Sequence, residues 1–459
     1  MSSAEVTSEA ITEHLDTATL PSLYADRSFW GMTITQFFGA FNDNLFKQLI
    51  LLLSIVVLAD GTKSDNQGTA TFIFSLPFLL VTGFAGYLSD RFPKRPIIIL
   101  CKVAEIVVMG LGALAFLVYG KTNSLAFLYV VLFFMGAQSG FFGPAKYGIL
   151  PEMLRDKDLP RANGLILMTT FIAIIMGTVV AGLILDYFPG KLWVGSSACV
   201  IIALVGTLSS LFVRKVPPAN PQLQLQASSF TVPPDMLRML LADKPLHIAL
   251  WVSSMFWLLA GMVPNAINAL GVIELQVGDK YTSYLNGVIS IGIALGCVIG
   301  GIASRGNVDF RLLRAGAIGM MCCLGVLAIP AHGDISLLIG PDGTLERFPG
   351  IGESPQWLGY WGSLGILLLL GAFTGLFAVP LQVFMQTRPP DDKKGRMIAV
   401  MNQANWVGIA ISGVLYNVFA AIISALAWPR STTFLFIAAL MLPIALFYHP
   451  KNEILSHEH

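Results

Sequence analysis

Gly86-Tyr87-Leu88-Ser89-Asp90-Arg91-Phe92-Pro93-Lys94-Arg95 is a short charged turn set between two long apolar runs, Thr69–Ser89 before it and Pro96–Tyr119 after it. A bilayer core about 30 Å thick needs about 20 apolar residues per helix, so the stretch reads as a surface loop joining two membrane spans. Gly86 permits close helix approach, Asp90 can face a helix N-terminus or a cation, and Arg91, Lys94 and Arg95 stay at the membrane surface.

Working outward, the same alternation repeats along the chain. Apolar runs occupy Phe29–Leu58, Thr69–Ser89, Pro96–Tyr119, Ser124–Leu150, Ala162–Tyr187, Leu192–Phe212, Leu246–Ile273, Thr282–Ser304, Leu312–Ala331, Trp357–Gln386, Met397–Trp428 and Ser431–Tyr448, twelve in all. Internal glycine and proline are compatible with membrane helices, whose neighbours satisfy the freed backbone groups. Composition agrees: 55% of the 459 residues are hydrophobic and 12% charged, where a soluble domain carries roughly 25% charge. The mean hydropathy is +0.72. A net charge of +1 gives no case for a nucleic-acid partner.

Loop charge sets the orientation. Loops after even-numbered spans hold seventeen Lys and Arg residues and those after odd-numbered spans six, so the positive-inside rule places the even loops and both termini in the cytoplasm. The expected organisation is an N-terminal tail over 1–27, a six-helix half over 28–213, a Pro-, Gln- and Ser-rich linker over 214–245, a second half over 246–449 and a tail over 450–459. A weak internal repeat supports two halves. Phe142–Asn163 and Ala378–Asn402 align with Pro144 opposite Pro380 and Asn163 opposite Asn402, at equivalent helix junctions. His332–Gln356, with several Gly and Pro, reads as a loop. The five cysteines lie in apolar runs without metal-binding spacing and read as packing residues.

Charges inside a span cost at least about 2.5–3.5 kcal/mol each, which makes every one a functional candidate. The first span carries Asn42-Asp43-Asn44 and, one turn on, Lys47. These form either a self-neutralising pair or a dipolar site in which an anion meets Lys47 and a cation meets Asp43. Lys102 and Glu105, three residues apart, suit a structural ion pair, with Lys102 snorkelling toward the surface. Lys146 lies in Gly143-Pro144-Ala145-Lys146-Tyr147-Gly148, read as a broken helix end able to take an anion or as an interfacial lysine. Asp186 and Glu274 fall at helix ends and read as interfacial. Gln36, Gln138, Asn265, Asn268, Asn286, Gln382, Asn402 and Gln403 are candidates for lining a cavity or for interhelical hydrogen bonds.

The loop Gly86–Arg95 resembles the signature G-x-L-a-D-r-x-G-r-r/k of the major facilitator superfamily, with Pro93 in place of the usual glycine; its second-half counterpart, Gly300–Arg305, lacks the aspartate. That resemblance implies an all-α membrane protein of twelve transmembrane helices, two six-helix halves around a central cavity, with the loop latching the halves on the cytoplasmic side. At Gly39-Ala-Phe-Asn-Asp43-Asn44, Pro144-Ala-Lys146-Tyr147-Gly148 and Arg161-Ala-Asn163-Gly164 the chain resembles the bacterial lysophospholipid transporters of that superfamily, some of which are fused to acyltransferase domains. The resemblance implies flipping of lysolipids such as lysophosphatidylethanolamine from the outer to the inner leaflet of the inner membrane, for reacylation inside. It places Asp43, Asn44 and Lys146 along the headgroup pathway, to which Lys47, Gln36 and Gln138 are added as candidates from their own positions in the spans. Stand-alone members carry an arginine in the seventh helix, whereas Ala260–Ala269 has no cation, so the phosphate contact would lie elsewhere. No histidine precedes an aspartate at the spacing an acyltransferase needs; acylation would fall to a separate protein. No metal, cofactor or catalytic residue is expected, and a monomer is. Two other readings are a proton- or sodium-coupled carrier using Asp43 and a non-transporting scaffold for a lipid-remodelling enzyme.

Overall fold

Asp26 starts the first bundle. Its carboxylate accepts from the backbone N–H of Ser28 (2.8 Å) and Phe29 (3.4 Å), filling orphan donors of a helix start, and both its oxygens accept from Arg214 Nη2 (2.9 and 2.8 Å). One buried carboxylate thus ties the beginning of the first half to its end. The computed structural model describes residues 20–57, 63–155, 158–225, 234–304, 309–340, 344–389 and 394–448. In chain order the helices are α1 (Arg27–Leu53), α2 (Gln67–Arg91), α3 (Lys94–Thr122), α4 (Ala126–Gly148), the short α5 (Leu150–Met153), α6 (Leu159–Tyr187), α7 (Trp193–Ser210), α8 (Pro234–Ala242), α9 (Lys244–Ala269), α10 (Gly278–Ser304), α11 (Phe310–Leu327), α12 (Gly359–Thr387), α13 (Lys394–Ala425) and α14 (Thr432–Phe447).

Apart from α5 and α8, these are the twelve membrane helices. Ten are long and apolar enough to cross a membrane by length and composition among the described residues. The others are α1, interrupted by its polar groups, and α14, which is 16 residues long. In the first half α1 packs on α6 and α7, α2 on α4, and α3 on α4 and α7. In the second α9 packs on α13 and α14, α10 on α12, and α11 on α12 and α14. The halves meet through α2 on α13 and α6 on α10. An even number of crossings puts both chain ends on one side, here the terminal face; the other is the far face.

Several expectations need correction. Leu23–Ala25 forms a 3₁₀ turn with Leu23 and Asp26 buried, so folded structure begins inside the expected tail of 1–27; residues 1–19 and the expected tail 450–459 lie outside the described residues. The first span ends at Leu53, because Ile55–Val57 (β1) turns back to pair antiparallel with Lys63–Asp65 (β2), Ile55 opposite Asp65. The linker contains α8, whose Met236 and Leu240 pack into the second-half core. The α4 helix runs unbroken through Pro144. A Cβ at Gly86 would meet nothing within 4 Å, so this glycine marks no close helix approach. Glu274 is buried rather than interfacial, accepting from Ser431 N–H (2.7 Å) and hydroxyl (2.8 Å). Asp186 stays at the surface, 3.6 Å from Lys280. Three of the loop cations, Lys157, Arg305 and Lys393, lie outside the described residues.

Candidate functional site

Polar side chains on α1, α2, α9, α10 and α13 are buried where the halves meet. Asn268 Oδ1 accepts from Gln48 Nε2 (2.9 Å) and Asn286 Nδ2 (2.8 Å), and Asn268 Nδ2 donates to Gln67 Oε1 (2.8 Å). Thr71 and Asn265 pair beside them, and Tyr416 donates its hydroxyl proton to Asp65 Oδ2 on the hairpin (2.6 Å). Glycine permits backbone approach at the same level. A Cβ at Gly68 would overlap the Gly413 carbonyl, and one at Gly182 would overlap Ser283. This set seals the far face. Of the two readings given above for Asn265 and Asn268, the second holds: they are 1% and 0% exposed and bridge helices. Gln382 and Asn402 are exposed, toward the terminal face. Near mid-helix Phe78 stacks on Trp406 at 3.7 Å.

Beneath the seal lies a cavity of about 870 Å³, its opening included. Asn44, Lys47 and Gln48 of α1, Thr178 of α6, Asn286 and Ser290 of α10 and Thr374 of α12 supply its polar lining; the remainder is hydrocarbon, mostly from the second half. Among the described residues Lys47 is the single charged one in the lining. Its Nζ lies over the Phe74 ring at 5.1 Å, and among the described residues no carboxylate comes within 4 Å of it. Of the two readings of Asp43 and Lys47, the self-neutralising ion pair is therefore not formed. A cation on a mostly apolar wall is a site for an anionic group attached to an apolar body.

Asp43, one turn away, points elsewhere. Its Oδ2 accepts from the Ser139 hydroxyl of α4 (2.6 Å), while its buried Oδ1 has no hydrogen-bond partner among the described residues. Gln138 donates to Ser139 in turn (2.8 Å). Gln36 is buried and joins α1 to α6 through Thr169 and Thr170 (both 2.7 Å). Asn44 bonds back to the Ala40 carbonyl (2.8 Å) while lining the cavity. Lys102 does not snorkel. It is 1% exposed, donates to Glu105 Oε2 (2.5 Å) and lies over the Phe142 ring (5.0 Å). Glu105 Oε1 accepts from Asn42 (2.7 Å). Gly39 makes room for this pair, since a Cβ there would strike Lys102 Nζ. Lys146 is buried over the Tyr147 ring at 4.8 Å, within Coulombic reach of Asp43 and Lys102. The structure thus brings Asp43, Lys102, Glu105 and Lys146 into one charge cluster inside the first half, and only Asn44 and Lys47 of the expected pathway into the cavity wall.

On the terminal face the loop cations turn to their own half and to the linker. Lys94 is buried and pairs with Glu152, Arg91 bonds Tyr87 and the Leu223 carbonyl (3.1 Å), and Arg95 bonds the Leu211 carbonyl (2.9 Å). Lys94 therefore departs from the expected surface position. Asp90 is exposed, and its carbonyl accepts from Asn220 N–H (2.8 Å). None of these bonds reaches the second half.

Sequence reading missed Gln48, Gln67, Asp65 and Tyr416 in the seal and the apolar walls of the cavity. The polar residues carried a signal, since a buried amide requires partners, but which faces meet is a tertiary fact.

Two six-helix halves joined at one face over a central cavity define a membrane transporter fold. The Major Facilitator Superfamily profile matches residues 30–413, and the chain belongs to that superfamily. It is similar to the "Lysophospholipid transporter LplT" of Enterobacter sp. (strain 638), 26% identical over 410 residues, covering 86% of this chain and 91% of the relative. The protein of the same name from Klebsiella pneumoniae (strain 342) is 26% identical over 422 residues, with 88% and 91% covered. These matches support the resemblance read in the first and fourth helices. Among solved structures, a POT family transporter in complex with a thioalcohol-conjugated peptide superposes with a TM-score of 0.65 at 15% identity, covering 92% of this chain and 95% of that one. The nucleoside transporter NupG superposes at 0.61 and 12%, with 92% and 98% covered. These two likenesses concern the fold alone.

Proposed function

We propose that this protein is a lysophospholipid flippase that works by alternating access, carrying lysolipids such as lysophosphatidylethanolamine from the outer to the inner leaflet of a bacterial inner membrane, with both termini in the cytoplasm. The observation that carries the reading is the cavity: one cation, Lys47, no lining carboxylate, and a largely hydrocarbon wall. A phosphate fits the cation and an acyl chain fits the wall, whereas a sugar or amino acid would leave that wall unmatched. The conformation, sealed at the far face, is then the one open toward the cytoplasm, from which an acyltransferase on a separate chain draws its substrate.

Asp43 faces α4 rather than the cavity. A buried carboxylate with an unpartnered oxygen is a place for a coupling proton or sodium ion. The test is leaflet-to-leaflet movement of labelled lysophosphatidylethanolamine in proteoliposomes. Wild type flips the lipid, Lys47→Ala loses at least roughly tenfold in rate, as expected for an anion contact worth about 1.5–3 kcal/mol, and Lys47→Arg retains most of it. Failure of correctly folded wild type with every lysolipid headgroup overturns the proposal. Loss of rate in Asp43→Asn together with loss of substrate-driven proton flux would instead favour a proton-coupled carrier.

A further inference from the structure

The cavity does not end at the interface between the halves. Its lining includes Met320 and Leu324 of α11 and Ile437 of α14, and those two helices pack on α9, α12 and each other within the second bundle. Together with Phe256 of α9 and Leu370 of α12 they wall a recess that penetrates the second-half core. The side chains are the same ones that form that core, with Leu324 and Leu370 each 1% exposed and Ile437 0%. The peripheral helices of the first half, α3 and α7, contribute no residue to this lining.

The recess is lined by hydrocarbon, so it takes neither an ion nor a polar solute, and an apolar hollow of this kind stays dry. Its mouth opens on the part of the cavity that holds Lys47. An elongated apolar body with an anionic group at one end satisfies both. We propose that the recess between α9, α11, α12 and α14 is the binding site for the single acyl chain of the transported lipid, with the phosphate held at Lys47. This rests on the lysophospholipid reading and extends it to selection. One recess accommodates one chain, and no peripheral helix of the first half lines this cavity to hold a second. A diacyl phospholipid sharing the same headgroup is excluded by its extra chain, not by its polar end.

The experiment has two arms. In the first, Met320→Trp fills the recess without touching Lys47, and flipping is measured with oleoyl and with decanoyl lysophosphatidylethanolamine. The expected result is a drop of roughly tenfold or more for the oleoyl lipid, the scale of an overpacked site, with the decanoyl lipid nearly unaffected. Equal loss for both chains overturns the recess while leaving the flippase reading intact. In the second arm, wild-type protein is photolysed with a lysophosphatidylethanolamine carrying a diazirine at the chain terminus, and adducts are mapped by mass spectrometry. Adducts on α11 and α14 around Leu324 and Ile437 support the site even if Met320→Trp fails to fold. Adducts confined to exposed residues such as Leu295 and Val298 of α10 refute it. Absence of flipping by wild type with either lipid strikes the proposed function, and the adduct map still decides whether the recess binds a chain.

Discussion

Asn268→Leu removes the most connected side chain of the far-face seal while keeping its heavy-atom branching. Asn268 holds Gln48 at 2.9 Å and Gln67 at 2.8 Å across the two halves, and Asn286 at 2.8 Å within its own half. The Asn286 contact belongs to the second half in any conformation, so two bonds distinguish the sealed state from an opened one. Interhelical hydrogen bonds in membranes measure about 0.6 kcal/mol on average and about 1.7 at most. The sealed state should therefore lose about 1–3 kcal/mol, a roughly 5–150-fold shift in the conformational equilibrium. Spin labels at Lys121, at the far end of α3, and at the exposed Leu337 of the second half report on far-face separation in a cysteine-free background. Double electron–electron resonance should show the long-distance population rising by that factor, with the elution profile unchanged. A distance distribution identical to wild type refutes the reasoning, because it means the amide bridges do not bias the equilibrium.

Gly413→Val drives a branched side chain into the Gly68 carbonyl and the Phe72 backbone, at about 1–3 kcal/mol for overpacking. The same label pair should separate, and a normal distance distribution would show that the α2–α13 seam yields without opening. Asp65 supplies a pH dependence. Burial pushes its carboxyl above the ordinary 3.8, partly opposed by the hydrogen bonds from Tyr416 and Gln67. A carboxylate with a raised folded value stabilises the sealed state fully below its ordinary value and loses that contribution as pH rises through the raised one. Acidification should thus increase the sealed population seen by the spin labels, and Asp65→Asn should flatten the profile; an unchanged profile in that variant removes Asp65 as the cause.

The twelve helices and the pairing of their charges with loops were readable because span length and the Gly86–Arg95 turn are local properties. The hairpin was not, since Ile55–Val57 merely continues the apolar run of α1 until Lys63–Asp65 folds back on it. Lys94 and Glu274 read as surface groups because proximity to a helix end says nothing about what packs over that end. Lys102 and Glu105 paired as their spacing implied, yet their depth was set by Gly39 on another helix. The cavity was the least legible part: Leu324 or Leu370 beside a hollow is written with the same letter as a leucine in a filled core. Lys47 was visible as an oddity, and its position as the lone cation of the wall depended on Asp43 turning to Ser139.

That turn of Asp43 bears on how the chain enters the membrane during synthesis. The α3 charges, Lys102 and Glu105, neutralise each other within one helix, so α3 can reside in lipid before its neighbours arrive. The α1 helix emerges first, and the partners of its polar groups come from α3, α4, α6 and α9: Glu105, Ser139, Thr169 and Asn268. While it waits, the four-residue spacing lets Asp43 and Lys47 shield one another. In the assembled bundle Asp43 is held by Ser139 instead, and among the described residues Lys47 has no carboxylate within 4 Å. The lone ammonium of the cavity wall thus depends on α4 holding Asp43.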